Sequence, residues 1–62
     1  MSLKILIVED EAIIAEDIAA TLKANDYEVL GKAFSVQQAL DMIYTRHPDL
    51  ILLDISLKSD MD

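Results

Sequence analysis

The chain has 62 residues, 53% of them apolar, no cysteine, and twelve acidic against five basic side chains, for a net charge of −7. Such a length allows at most one small domain, which buries only about 60% of its unfolded surface, while the apolar content argues against disorder. The same composition excludes disulfides and thiolate metal sites, any apolar run of the roughly 20 residues that cross a bilayer, and a basic groove for nucleic acid within this segment.

The start, Met1-Ser2-Leu3-Lys4, enters a strand directly and lacks a signal-peptide layout, so the expected location is cytoplasmic, with no membrane partner. Leu3 to Val8 forms a strand pattern rich in Ile, Leu and Val. Asp10 to about Asn25 has helical spacing, with Glu11, Ile14, Ala15, Ile18, Ala19 and Leu22 on one stripe and Glu16, Asp17 and Lys23 off it. Asn25-Asp26 is turn chemistry. Tyr27 to Ala33 is a second strand of mixed character: Glu28 and Lys32 are polar, Gly31 interrupts it, and Val29 and Ala33 fall on the other side. That is the composition of an edge strand. Ser35 followed by Gln38 is a capping-box pattern opening a second helix, whose expected stripe is Val36, Ala39, Leu40 and Ile43. Tyr44 lies beside that stripe, and Met42 and Tyr44 are expected to pack rather than to bind a cofactor. Pro48 stops the helix, leaving His47 as a residue of the helix end. Asp49 to Ile55 is the third strand, and Ser56 to Asp62 a polar tail.

Strand–helix–strand–helix–strand with short connections implies a parallel sheet made by two right-handed crossovers. The polar second strand belongs at an edge, which selects the order 2-1-3 and puts the helices on opposite faces. The switch point then lies between the first and third strands, where open α/β sheets bind ligands at the carboxyl ends. Leu50-Ile51-Leu52-Leu53 is apolar on both faces, as in a strand covered on both sides. With nothing beyond it here, it forms an open apolar edge that invites pairing. The expectation is that residues 1–62 are the first part of a larger domain.

Each of the two runs at the switch point stops on acid: Glu9-Asp10-Glu11 after the first, Asp54 after the third. Neighbouring strands lie roughly 4.8 Å apart, so side chains leaving their ends share one space. Two like charges about 4 Å apart repel by roughly 1 kcal/mol in water and about 4 kcal/mol at an effective dielectric near 20. Such a cluster raises a pKa or recruits a cation. Oxygen donors without nearby His or Cys favour magnesium, with manganese second, over zinc. Taken singly, Glu9, Asp10 and Glu11 also suit the first turn of a helix, where they complement its dipole, and Asp54 suits a polar strand end; their joint placement favours the metal.

Other switch-point chemistries fit less well. A dinucleotide site needs a glycine-rich turn after the first strand, where this chain has three acids. A haloacid-dehalogenase-type phosphatase wants Asp-x-Asp there, and a toprim-type nuclease wants Asp-x-Asp after the third strand, where this chain has Asp54-Ile55-Ser56.

Ile5-Leu6-Ile7-Val8-Glu9-Asp10-Glu11, followed by Pro48-Asp49-Leu50-Ile51-Leu52-Leu53-Asp54, closely resembles the response regulator receiver domain of two-component signalling. The resemblance covers nearly all of the chain but only about the first half of a receiver. It implies a flavodoxin-like α/β fold, here truncated to β-α-β-α-β with parallel order 2-1-3. It implies that Asp54 accepts a phosphoryl group from a histidine kinase or phosphotransfer protein. Asp10 matches the direct magnesium ligand, Glu9 the acid that reaches the ion through water, and Ser56 the residue whose backbone carbonyl completes the metal site. The family's hydroxyl residue after strand 4, its lysine after strand 5 and its switch aromatic have no positions here. A phosphoacceptor module that is not a turnover enzyme is therefore the leading expectation. The alternative is an interaction fragment that forms a homodimer through the third strand without productive phosphotransfer.

Overall fold

In the computed structural model, which describes residues 3–53, strands and helices alternate: β1 Lys4–Val8, α1 Ala12–Ala24, β2 Glu28–Ala33, α2 Val36–Arg46 and β3 Leu50–Leu53. The strands are parallel in the order β2-β1-β3, as the edge character of the second strand requires. Because successive side chains on β1 point to opposite faces, its apolar run feeds two cores. Leu6 and Val8 pack with Ala33 and Ala39 under Met42 and Ile43 of α2. Ile7 packs with Ala15 and Ala19, flanked by Ile18, Leu22 and Val29, under α1. Small residues at the buried helix positions let both helices approach the sheet closely.

β2 departs from simple alternation. Its register runs Ile5↔Val29 and then Leu6↔Gly31, so Leu30 is an extra residue, a bulge. The bulge turns the second half of the strand over. Val29 joins the α1 core while Ala33 joins the α2 core, which corrects the expectation that these two share a face. Lys32, opposite Ile7, ends on the α1 side and bonds Glu16 Oε2 at 2.9 Å. Arg46 donates from Nη1 to the Leu30 carbonyl at 3.0 Å, satisfying the oxygen that the bulge leaves over. At Gly31 a Cβ would stand 3.2 Å from the Met42 sulfur, a fit that leaves little room for a side chain.

The helix boundaries follow local chemistry. Ser35 Oγ accepts from the Gln38 N–H at 3.2 Å, while the Gln38 side chain accepts from Phe34 N–H rather than from Ser35; it is a capping box shifted back by one residue. His47 ends α2 in the left-handed region, φ 52°, with its N–H on the Ile43 carbonyl. Two expectations fail on α2. Tyr44 is 81% exposed, and Val36 and Leu40 are also exposed; the stripe that packs is Ala39, Met42 and Ile43, rotated from the expected one because the face is centred on the small Ala39. α1 begins at Ala12, two residues later than expected, with Glu11 at its N-cap in extended backbone.

β3 pairs with β1 from Ile5↔Leu50 to Val8↔Leu53. Its other side carries no strand among the described residues, and Leu50, Ile51 and Leu53 remain exposed. The expected extension of this strand through Asp54 and Ile55 lies outside the described residues.

Candidate functional site at the carboxyl edge of the sheet

The central strand delivers its acids directly. Glu9 N–H bonds the Ala33 carbonyl at 3.0 Å, carrying the β1–β2 pairing one residue past the strand. Glu9 is also only 2% exposed. Its Oε2 accepts from the Glu11 backbone N–H at 3.0 Å. This bond satisfies one of the amides at the start of α1, a role that Glu11 itself does not fill at the N-cap. None of the three acids stands in the first turn of α1, where the dipole-complementing reading puts them; Glu9 instead accepts from the amide just before it. Asp10 has the opposite environment: it is exposed on the bend between β1 and α1. Glu11 is half-buried. Adjacent acids thus differ in kind, one fixed and desolvated, the next open to solvent.

On the neighbouring strand the ladder ends with Leu53 opposite Val8. These two residues immediately precede Asp54 and Glu9 in sequence. The geometric premise of a shared site, parallel adjacent strands in matching register, is met up to that point. Asp54 and Ser56 lie outside the described residues, and among the described residues no three His, Cys, Asp or Glu side chains gather as a metal group.

Lys32, near the same end of the sheet, is engaged by Glu16. The hydrogen bond from Lys32, and after it the charge of that ammonium, hold the Glu16 carboxyl below its ordinary range. No periodic signature in the sequence marks this pair, because it depends on the bulge that brings Lys32 to the α1 face; Gly31 is its one signal. His47 takes the helix-ending place expected of it. No helix among the described residues is long and apolar enough to cross a membrane.

Comparison with known proteins supplies what geometry leaves open. The family model for the response regulator receiver domain matches residues 5–62. The transcriptional regulatory protein PdtaR of Mycobacterium tuberculosis, from strain CDC 1551 / Oshkosh and from strain ATCC 25618 / H37Rv, is 37% identical over 54 residues, covering 87% of this chain. The chain spans 26% of the length of these curated relatives. No solved structure matches it. The parallel 2-1-3 sheet and a family match through nearly every residue agree, and the chain belongs to the response regulator receiver domain family of two-component signalling.

Proposed function

We propose that the chain is the amino-terminal part of a larger receiver domain that takes a phosphoryl group onto Asp54 from a histidine kinase or a phosphotransfer protein. The observation that carries this reading is the β1–β3 ladder, which sets Val8 beside Leu53 one residue before the acids. The donor set is all oxygen, with Glu9 buried and Asp10 open, which suits magnesium, or manganese, better than zinc. Asp10 would bind it directly, Glu9 through water, and Asp54 and the Ser56 carbonyl would complete the set. Bound there, the ion neutralises charge on the transferring group. Glu9, anchored on the Glu11 amide, keeps the acidic side of the site in place. The Asp54 carboxylate acts as nucleophile toward phosphorus, forming an acyl phosphate as the bond to the donor breaks.

The module is a substrate of its kinase, not a turnover enzyme, and its partners are proteins rather than nucleic acid. The switch that answers phosphorylation belongs to the strands that follow. The test is incubation with magnesium and acetyl phosphate, followed by mass spectrometry. One phosphoryl group on Asp54, lost in Asp54→Asn, is the expected result; phosphate elsewhere, or none, overturns the proposal. A phosphorylation-dependent change of shape in the 62-residue chain would refute the assignment of the switch.

A second reading is favoured by the exposed Leu50, Ile51 and Leu53 on an edge strand. Unpaired strand edges template association, so the chain would form a homodimer through β3. Sedimentation at micromolar concentration distinguishes a dimer from a monomer.

A further inference from the structure

We infer that Asp49 is a positioning residue, which locks the β1–β3 register from the end of the sheet opposite the acids. Both main-chain polar groups of Lys4 are taken up by this one residue. Asp49 N–H donates to the Lys4 carbonyl at 2.8 Å, and Lys4 N–H donates to Asp49 Oδ2 at 3.0 Å. In a parallel ladder a residue bonds main-chain groups on either side of its partner. Because the Lys4 carbonyl already takes the Asp49 N–H, the ladder acceptor for Lys4 N–H would be the carbonyl of residue 47, where the chain is still leaving α2 in left-handed His47. The Asp49 carboxylate replaces that missing carbonyl.

The consequence is felt at the far end. From the clasp the ladder runs Ile5↔Leu50, Leu6↔Ile51, Ile7↔Leu52 and Val8↔Leu53. A run of similar apolar residues such as Leu50-Ile51-Leu52-Leu53 specifies register weakly by itself, because a slip replaces one aliphatic contact by another. A one-residue slip would still invert every side chain of β3 and move residue 54 away from Glu9 and Asp10. A directional bond at the strand entrance removes that degeneracy. Arg46 does the equivalent for β2 by holding the carbonyl of Leu30.

The inference rests on the phosphoacceptor reading for its functional part, and its test separates the two. Asp49→Ala removes the acceptor, Asp49→Asn retains one, and Lys4→Pro removes the donor while leaving Asp49 intact, at a strand-start position where proline is tolerated. Hydrogen exchange is read at the Lys4 amide in the Asp49 variants and at the β3 ladder amides in all three. Magnesium midpoints are measured by titration on the folded fraction. In Asp49→Ala the Lys4 amide should exchange roughly fivefold faster, the effect of one net hydrogen bond. Magnesium should bind about three- to tenfold more weakly, at or below the loss seen when a ligand's own orienting partner is removed. Lys4→Pro should match Asp49→Ala in its magnesium midpoint, and Asp49→Asn should stay within about twofold of the unaltered chain in both readouts. If Asp49→Ala does not fold, Lys4→Pro and Asp49→Asn still decide. Unchanged Lys4 exchange in Asp49→Ala, unchanged magnesium binding in Lys4→Pro, or failure of Asn to rescue overturns the inference. If the unaltered chain binds no magnesium, the functional reading fails, and exchange alone decides whether Asp49 sets the register.

Discussion

Leu6 and Ile51 stand opposite each other in the β1–β3 ladder, so their side chains leave the same face of the sheet. Their burial differs sharply: Leu6 is 0% exposed and Ile51 43%. Leu6→Ala opens a cavity beneath Ala39, Met42 and Ile43, which costs roughly 3–5 kcal/mol for a fully enclosed leucine. Ile51→Ala removes three carbons worth about 0.8 kcal/mol each when buried; with only about half of the side chain covered the loss is about 1 kcal/mol. At 62 residues the whole fold is worth roughly 3–9 kcal/mol. Leu6→Ala therefore consumes from about a third to all of the stability, whereas Ile51→Ala leaves a folded chain. In urea, with a slope of about 1 kcal/mol per M for a protein this small, Ile51→Ala should lower the midpoint by about 1 M. Leu6→Ala should lower it by about 3–5 M, losing the folded baseline where the midpoint of the unaltered chain is below that. Equal losses, within about 0.5 kcal/mol, would refute the placement of β1 at the centre and β3 at an open edge. The same pair placed in a longer chain that continues past residue 62 tests the larger-domain proposal: there the Ile51→Ala loss should rise toward that of Leu6→Ala.

Ser35→Ala removes the acceptor for Gln38 N–H and should cost about 1 kcal/mol, a drop of roughly 4–8 °C in Tm for a domain of this size; an unchanged melt would show that Gln38 alone secures the helix start. His47→Gly relieves a side chain held at φ 52° and should raise stability by roughly 0.5–1 kcal/mol, seen as a higher urea midpoint, with His47→Val moving it the other way. Glu16, whose folded pKa is lowered by Lys32, contributes stability that is present above its unfolded pKa and lost as pH falls through the lowered folded value. The stability difference between the unaltered chain and Lys32→Met should therefore be constant near neutrality and shrink below about pH 4.3. A difference that grows on acidification would contradict the pairing.

The strand order was legible because two signals of different origin agreed. Glu28, Gly31 and Lys32 marked a half-polar edge strand, and Leu50 to Leu53 marked a strand apolar on both faces. Periodicity found most of α1, since Ala15, Ile18, Ala19 and Leu22 all face the sheet, but Ile14, expected on the same stripe, is exposed. It misjudged α2, where the small buried Ala39 decides which face approaches and the larger Val36, Leu40 and Tyr44 are left outside. It also missed the bulge at Leu30, because one inserted residue shifts phase without changing composition. The lone Gly31 marked an interruption, but gave no indication that everything after it would be turned over.

The acids were legible for a different reason. A strand's end is dictated by where its apolar run stops, so the places of Glu9 and Asp10 follow from hydrophobicity alone, before any loop is built; Asp54 lies outside the described residues. What each acid does depends on backbone direction in the turn, which carries no period. Glu9 turned inward to cap the Glu11 amide while Asp10 stayed in solvent, and nothing in the string Glu-Asp-Glu distinguishes them. The outcome bears on function. Burying a carboxylate is unfavourable unless hydrogen bonds compensate, and an aliphatic residue would serve a strand end between Ala33 and α1 at lower cost. A desolvated acid kept at the carboxyl edge of the central strand is a local conflict with stability, and such conflicts concentrate where chemistry is done. In the proposed site, Glu9 is thus a residue at which fold and chemistry would make opposing demands, with the backbone amide of Glu11 helping to reconcile them.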